Sequence, residues 1–264
     1  MILRHRAALN GGQLDEVDSR IMIKRISTGE GKMNISTVSL PADGMRVTGI
    51  DRDSIDITIT FNIRLRKRDM AERETVMEKV NAWAAAGGIL TVGHKEGRLI
   101  HVFLAQAASI GDPWEWTKDY SLVFRACGVP YWQQESPVTV IRQSTSGETI
   151  TMMVDGSAES VVEAQFRNQS GGTISAFSIQ AGDSQMVFSG LGLGNGETLV
   201  IDHEDNGKKN ILRLRIQGTG GTYRSVMDKR TGSDDLYVEP GTNRITVSAG
   251  GTGRLTVSCA GRFA

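Results

Sequence analysis

The residues of this chain that could do chemistry are its histidines, carboxylates and serines. The histidines are His5, His94, His101 and His203. None has the spacing of a zinc finger or of an HExxH helix, and His94 and His101 are expected to be solvated residues that face each other across a hairpin. His203 opens the segment His203-Glu-Asp-Asn206, which is predicted to be a polar hairpin turn because it lacks the ligand order of a calcium loop. The histidines therefore predict no metal site.

A glycine-rich segment, Gly190-Leu-Gly-Leu-Gly-Asn-Gly196, has the composition of a phosphate-binding loop. Such a loop needs a strand before it and a helix after it. Residues 198–201 have strand character instead, so we predict a β-turn. The sequence contains no Gly-x-Ser-x-Gly elbow, and its carboxylates are scattered singly. We therefore predict no catalytic residue, no cofactor and no metal, and hence no enzyme.

Composition narrows the class of protein further. The 264 residues include 30 basic and 30 acidic side chains, whereas a nucleic-acid-binding protein usually has a basic excess. No apolar run approaches the roughly 18 residues of a membrane helix, and the first ten residues lack the apolar region of a signal peptide. Synthesis in a cytoplasm is expected. Cys127 and Cys259 are expected to be unpaired, buried thiols, as is usual in a reducing compartment.

The first half of the chain is predicted to be a sheet with one helix. Apolar and polar residues alternate from Ile55 to Leu65, which is the period of a strand. A helix is predicted over Met70–Ala86, with Asp69 as its N-cap and two glycines after its end. Further strands are predicted near 89–92, 99–105 and 120–126. The expected contacts between helix and sheet are made by Val76, Val80 and Trp83.

Residues 28–54 are predicted to form a β-hairpin or arm. Four glycines interrupt this span, and Asp43-Gly44 is a favourable turn dipeptide. Apolar side chains are spread through the span, and a protruding hairpin that cannot bury them needs a neighbour. The candidates for contact with another subunit are Met33, Ile35, Val38, Leu40, Met45 and Val47.

The composition changes after Trp132, the last of four tryptophans. A short polar link predicts a junction between a domain of residues 1–133 and a domain of residues 138–264. Candidate strands then follow at close to the ~8–12-residue spacing of sandwiches and jelly rolls. The second domain is therefore predicted to be an all-β sandwich. Trp114 and Trp116 alternate, so they are expected to share a face in the core or in a subunit contact.

The order of these features resembles the distal tail (Dit) proteins of long-tailed, siphovirus-type bacteriophages. In the first domain, the matching features are the alternating strand, the helix ending Asn81-Ala-Trp-Ala-Ala-Ala-Gly-Gly88, the strand after it and the span Trp114 to Trp132. In the second domain, Gly196-Glu-Thr-Leu-Val-Ile-Asp202 resembles the family's G-x-x-L-x-I-D segment. Residues 236–245 resemble its L-x-x-G-x-N-x-I strand-turn-strand. The resemblance spans nearly the whole chain.

The resemblance implies a mainly β protein with two sandwiches. The N-terminal one would be tail-tube-like with one packed helix, and the C-terminal one would be galectin-like or carbohydrate-module-like (a jelly roll). Such proteins are structural, non-catalytic parts of the phage virion. Six copies would form a ring that joins the tail-tube protein to the baseplate hub or tail-tip protein, and receptor-binding proteins often attach to the outer domain. DNA would pass through without specific binding, and no membrane insertion is implied.

Asp51, Asp53 and Asp56 flank the start of the strongest predicted strand. In a tail-tube-like ring one sheet lines the channel, where a weakly acidic wall would repel phosphate and let DNA slide. These aspartates are therefore the candidates for the lumen, with polar neighbours from Thr58, Thr60 and Asn62. The alternative is that they are ordinary solvated turn residues.

The alternative function is that of a carbohydrate-binding module or adhesin acting in host attachment. It requires exposed aromatic side chains on the second domain, whereas most of the aromatic residues there lie in alternating strands and are expected in the core. A hydrolase is a further alternative, for which no pairing of nucleophile and base is visible.

Overall fold

The computed structural model describes residues 5–29, 33–40, 44–65, 69–111, 119–144 and 147–264, with the backbone alone for 33, 38–40 and 44–51. The chain divides into two compact units. The first contains the residues up to Trp132 together with Asp205–Asn210 and Ala264, and the second contains Gln133–Glu204 and Ile211–Phe263. Antiparallel strands dominate both units, so the predicted mainly β fold is confirmed.

The described part of the first unit has two helices and nine strands before its boundary. The helices are α1 (Leu14–Val17) and α2 (Met70–Ala85). The strands are β1 (Ala7–Leu9), β2 (Gly12–Gln13), β3 (Ile21–Thr28), β4 (Met33–Leu40), β5 (Gly44–Arg52), β6 (Ile55–Ile63), β7 (Gly88–Val92), β8 (Arg98–Gln106) and β9 (Tyr120–Ala126). Seven of these strands lie in one sheet in the order β2-β1-β7-β8-β9-β6-β3, and β4 and β5 form a separate two-stranded sheet.

The alternation in β6 explains why the sheet that contains it has one apolar face. Every second residue of β6 is buried and the residues between them are half-buried. Its neighbour β9 repeats the pattern, and the register places Ile57 opposite Phe124 and Ile59 opposite Leu122. Buried residues therefore line up across strands. The predicted strand is confirmed, although it ends at Ile63 rather than Leu65.

Helix α2 begins where its capping residue predicts. The side chain of Asp69 accepts a hydrogen bond from the backbone N–H of Glu72 at 3.1 Å, which satisfies one of the free donors of the first turn. The helix ends at Ala85, one residue earlier than predicted, and Gly87 follows with a φ of 58° in the left-handed region. Its buried residues are Arg73, Val76, Met77, Val80 and Ala84.

A charged cluster joins the N-terminal segment to α2. The carboxylate of Asp18 accepts from Nε of Arg20 at 2.7 Å and from Nζ of Lys79 at 3.1 Å, and Arg20 also contacts Glu72. The hydrogen bond from Arg20, followed by weaker contributions that include Lys79, holds the pKa of Asp18 well below its usual range. The cluster therefore stabilises the charged carboxylate and connects segments that are far apart in sequence.

The regular structure in the described residues of the second unit is all strand, apart from a 3-10 turn at Met227–Lys229. Strand β10 (Trp132–Gln134) lies at the boundary. The other strands are β11 (Val138–Ser144), β12 (Gly147–Val154), β13 (Ser160–Asn168), β14 (Ile174–Ala181), β15 (Ser184–Leu193), β16 (Thr198–Asp205), β17 (Asn210–Gln217), β18 (Tyr223–Ser225), β19 (Arg230–Gly232), β20 (Tyr237–Val238), β21 (Gly241–Ala249), β22 (Gly253–Cys259) and β23 (Arg262–Phe263).

Two sheets enclose the core of the second unit. One has the order β11-β22-β13-β16-β17-β18, and the other has the order β12-β21-β14-β15-β19. Their inner faces meet in one apolar cluster. Within it, the ring of Phe177 lies 5.2 Å from that of Phe166 and 6.2 Å from that of Phe188, measured between centroids. Two packed sheets with a shared apolar interior form a β-sandwich, which is the architecture predicted for this half.

The glycine-rich segment is strand, not turn, as far as Leu193, so the predicted β-turn is wrong there. Strand β15 continues because Leu191 and Leu193 alternate with glycines and are buried in the core. Glycine tolerates the positive φ of 66° at Gly190. The turn follows at 194–197, where the carboxylate of Glu197 accepts from the N–H of Gly194 at 2.7 Å.

Three expectations about single side chains are also wrong. His101 lies opposite Ile89 rather than His94, because the β7–β8 register pairs them that way. His203 lies within β16 with a side chain only 9% exposed, rather than in a solvated turn. Cys127 is exposed, whereas Cys259 is buried as expected, and both are free thiols. Burial raises the pKa of Cys259 to about 12. Trp114 and Trp116 lie outside the described residues.

Candidate assembly surfaces

The hairpin β4–β5 is the candidate arm. Its strands pair from Met33 opposite Arg52 to Leu40 opposite Gly44. The side chains of residues 34–37 are all exposed, and that of Ile35 is 59% exposed. A two-stranded hairpin alone is marginally stable in water, and the side chains of residues 34–37 bury little surface against the described part of the chain. The other arm candidates are placed in the two strands by their backbone: Met33, Val38, Leu40, Met45 and Val47.

The three candidate lumen aspartates have different surroundings. Asp53 is exposed between β5 and β6 and accepts from the side-chain amide of Asn34 at 2.7 Å. Asp56 forms a two-pronged pair with the guanidinium of Arg125 on β9, at 2.6 and 2.8 Å. The side chain of Asp51 lies outside the described residues. Their polar neighbours Thr58, Thr60 and Asn62 are half-buried on the face of β6 opposite its apolar residues.

The pairing of Asp56 changes the expected charge of this face. Hydrogen bonds from Arg125 lower the pKa of Asp56, so the carboxylate is charged at neutral pH. Its charge is balanced by the guanidinium beside it, and the adjoining residues of β6 are hydroxyls and an amide. The residues of β6 on this face are therefore balanced in charge. Arg25 of β3, exposed and directly opposite Thr60, adds a cation, so an acidic character depends on Asp51 and Asp53.

The three residues predicted between helix and sheet are buried to different extents. Val76 and Val80 are completely buried. Trp83 is half-buried: its ring meets Phe124 edge to face with centroids 6.0 Å apart, and its indole N–H donates to the carbonyl of Gly12 at 3.0 Å. One edge of the indole therefore packs on the sheet while part of the ring stays in water.

The polar residues of the second-domain motifs stabilise strands and turns. Asp202 accepts from Arg213 at 3.1 and 3.0 Å and from Arg215 at 2.7 Å, which joins neighbouring strands β16 and β17. The side-chain amide of Asn243 donates to the carbonyls of Glu239 and Gly241 at 2.7 and 3.0 Å, and so holds the turn before β21. These residues are explained by the architecture without a ligand.

No family profile and no curated protein sequence matches the chain. Solved structures do match, over nearly its whole length. The Dit protein of phage SPP1, described as a paradigm of the hub adsorption apparatus in phages that infect Gram-positive bacteria, has a TM-score of 0.66 and covers 98% of this chain and 99% of its own.

The chain has the Dit fold. The sequences are 12% identical, so the likeness is one of fold. A chain of the phage P2 baseplate in its activated conformation with Ca is similar at a TM-score of 0.52 and 9% identity, covering 98% of each chain. The resemblance drawn from the order of the motifs is thus confirmed at the level of the fold.

Within the Dit fold, a polar pocket of about 440 Å³ lies in the second unit. It is lined by five carboxylates and by Tyr237 and Asn243. One carboxylate, Asp235, accepts from the Tyr237 hydroxyl at 2.9 Å and lies 2.7 Å from Nε2 of His203. The hydrogen bond with His203 lowers the pKa of Asp235, and burial raises the pKa of Tyr237 to about 12.

The described residues contain no group of three or more His, Cys, Asp or Glu side chains placed to hold a metal ion. Within the same residues, none of the helices has the length and apolar character needed to cross a membrane.

Two polar contacts between distant residues are not predicted from the sequence. Arg73 lies inside the apolar stripe of α2 and donates to the Tyr120 hydroxyl at 2.9 Å. Its position three residues before Val76 was an available signal, since residues at that spacing share a helix face. His203 and Asp235 are 32 residues apart, and nothing local in the sequence relates them.

Proposed function

We propose that this chain is a structural, non-catalytic protein of a phage tail tip, and that six copies form a ring that joins the tail tube to the baseplate or tip hub. The observation that supports this most directly is the Dit fold across both units. The likeness to SPP1 Dit covers 98% of this chain and 99% of that one, so each unit has a counterpart.

The exposed hairpin supports assembly of several copies. Residues 34–37 of β4 expose all four side chains, including an isoleucine, although their backbone is paired with β5. Apolar surface of this kind is stabilised by contact with another protein surface. A neighbouring copy in a ring would supply that contact for every copy at once, because a closed ring repeats one interface.

The polar face of β6 supports passage of DNA. On β6 this face consists of hydroxyls, an amide and an Asp56 balanced by Arg125, so the strand offers no unpaired cation to phosphate; on β3, Arg25 opposite Thr60 adds one exposed cation. We propose that Asp53 and Asp56, with Asp51, Thr58, Thr60 and Asn62, face the channel. DNA then slides past without specific contacts.

The proposed partners follow from this position. They are further copies of the chain, the tail-tube protein on one side and the hub or tail-tip protein on the other, with receptor-binding proteins on the second unit. The protein is proposed to reside in the virion after assembly in the host cytoplasm.

Native mass spectrometry and electron microscopy of the purified full-length chain test the ring. A six-fold ring is expected. Ile35→Glu should weaken assembly by about tenfold or more, because an interfacial carboxylate must be desolvated without a partner. The matched control is Met153→Glu, since Met153 is 61% exposed on the second unit and lies outside the hairpin. A chain that stays monomeric at every concentration, or equal losses in both variants, contradicts the proposal.

A reconstruction of the assembled tail tip tests the lumen separately. Residues 53–62 should line the channel wall. Finding them on the outer wall, or finding a clear excess of lysine and arginine over acidic side chains around the channel, rules out this assignment.

One observation favours carbohydrate binding as a second candidate function. Tyr237 is 39% exposed and lines the polar pocket together with Asn243, and aromatic rings beside hydrogen-bonding groups suit sugar recognition. A glycan array probed with the full-length chain tests this candidate. Loss of a glycan signal in Tyr237→Ala but not in Tyr223→Ala would support it, and absence of any signal in the wild type would remove it.

A further inference from the structure

Four polar residues form a row across the outer face of one sheet in the second unit. Arg254 on β22 lies directly opposite Gln143 on β11 and, on its other side, directly opposite Arg167 on β13. Arg167 in turn lies opposite Thr198 on β16. The first three side chains are exposed and that of Thr198 is half-buried. We call this set, in the order Gln143–Arg254–Arg167–Thr198, the arginine row.

The two guanidiniums of the arginine row project away from the core and lie side by side. The chain neighbours Phe166 and Leu255 are completely or almost completely buried, so alternation turns Arg167 and Arg254 outward. Directly opposite residues of antiparallel strands have Cβ atoms about 4.5–5.5 Å apart. Like charges in this position are destabilising, which makes the pair unfavourable for folding alone.

No acidic side chain of the described residues offsets this pair. The side chains of Arg167 and Arg254 form no hydrogen bond and no ion pair with any described residue. Glu163, on the same face of β13, is four residues away, or about 13 Å along the strand, and accepts from the backbone N–H of His203. Glu197, next to Thr198, is held by Gly194 and Arg224.

Two other arginines of the same sheet form ion pairs with carboxylates. Arg213 and Arg215 share the carboxylate of Asp202, and Arg213 also pairs with Glu204. Arg142, at the edge strand β11, donates only to the neighbouring carbonyl of Ile141. The two arginines of the arginine row are therefore adjacent uncompensated cations on strands inside the sheet, unlike Arg213 and Arg215.

The surroundings of the arginine row are neutral and form hydrogen bonds. Gln143 donates to the side-chain carbonyl of Gln169 at 2.8 Å. The next same-face row consists of Ile141, Thr256, Gln165 and Val200, with no charge and no aromatic ring. The surface thus has two adjacent cations at its centre and amide and hydroxyl groups around them.

We propose that the arginine row binds a phosphodiester group of a polyol or glycan polymer. A phosphodiester has two free oxygens, so each of the two guanidiniums can donate to one of them. The hydroxylated polymer chain continues on both sides of the phosphate and reaches Gln143 on one side and Thr198 on the other. An acidic peptide fits less well, because an extended chain runs along the strands with successive carboxylates about 7 Å apart. Along these strands the next same-face positions are neutral, and Glu163 follows on β13, so no further cation is there to pair with those carboxylates.

Titration calorimetry with poly(glycerol phosphate) tests this site on the full-length chain at low salt. The wild type should bind. The double variant Arg167→Gln, Arg254→Gln should bind about tenfold more weakly or worse, since it loses two charge-assisted contacts. The matched control Arg244→Gln removes an exposed arginine from β21 in the other sheet and should bind within about twofold of the wild type.

Three results would overturn the proposal: no binding by the wild type, equal weakening in Arg244→Gln, or equally tight binding of polyglutamate or duplex DNA. The melting temperature of the double variant should equal or exceed that of the wild type, because a repulsion is removed. Ring assembly of the same variant should be unchanged, so failure of this site and failure of the proposed tail-tip function remain distinguishable.

Discussion

The sandwich of the second unit and the hairpin β4–β5 of the first are both antiparallel β-structure, but they differ in how far their side chains are buried. In the sandwich, two sheets face each other and bury one continuous apolar cluster. In the hairpin, one layer exposes every described side chain from 34 to 37. A single layer has no second face against which to bury apolar groups. Substitutions in the sandwich should therefore change stability, and substitutions in the hairpin should change assembly.

The largest effect is expected at Phe177, the middle of the three adjacent rings. Phe177→Ala should lower the free energy of unfolding by about 3–5 kcal/mol, because it removes buried surface and leaves a cavity. Denaturant melts measure this, and assembly below the melting transition should be unchanged. Thr246→Ala, at an exposed position on β21, is the control and should stay within about 0.5 kcal/mol. A Phe177→Ala chain that is folded but fails to assemble would contradict the expectation that the sandwich affects stability and the hairpin affects assembly.

Asn168 should give the next largest effect. It is completely buried, donates to the carbonyls of Gly172 and Leu193, and accepts from the N–H and the hydroxyl of Ser170, each at 2.8 Å. Asn168→Ala leaves these groups unpaired and should cost about 3 kcal/mol. Asn195→Ala, an exposed asparagine with one hydrogen bond to the same loop, should cost under about 1 kcal/mol. Similar costs for both would show that burial does not decide the effect.

Trp83 should contribute less than the sandwich core, because its ring is half-buried. Trp83→Ala should cost about 2 kcal/mol, from lost packing on Phe124 and a lost hydrogen bond to Gly12. Trp83→Phe keeps a ring and loses the donor, so it should cost about 1 kcal/mol. Thermal or urea melts of the two variants separate the packing of the ring from the hydrogen bond. Equal losses of stability in Trp83→Ala and Trp83→Phe would assign the whole effect to the hydrogen bond.

Asp69 should give a smaller effect again, because it supplies one cap. Asp69→Ala should cost about 1 kcal/mol, and Asp69→Ser should restore most of it, since serine also accepts from the N–H groups of the first turn. Asp53→Ala, at an exposed aspartate outside any helix, is the control. No recovery by serine would point to charge rather than capping.

The smallest difference between the two units is expected in their response to acid. The pKa of Asp18 in the first unit and that of Asp235 in the second are both lowered. A lowered carboxyl pKa adds stability above the unfolded value of about 4, and this stability is lost as pH falls through the folded value. Urea melts from pH 7 to pH 3 should show both units losing stability below about pH 4. The cost of Asp18→Asn should shrink over the same range, and a constant cost would disprove the linkage.

The elements predicted correctly from the sequence depend on neighbours along the chain. The alternation of Ile55 to Ile63 specifies a strand with one apolar face because successive side chains of a strand point to opposite sides. The pair Asp69 and Glu72 marks the start of α2 because the capping bond spans three residues. The turn predicted for the glycine-rich segment is wrong as far as Leu193, because burial of Leu191 and Leu193 in the core stabilises the strand more than the glycines favour a turn.

The sequence by itself thus determined the strands, the single long helix and the order of motifs, since period, capping and turn chemistry are local. Only the tertiary structure decided that Asp56 is balanced by Arg125, that His203 is buried against Asp235 and that Arg167 lies opposite Arg254. Each of these pairs joins strands or segments distant in sequence. Their meeting depends on strand order and register, which are set by how two whole faces bury their apolar residues together.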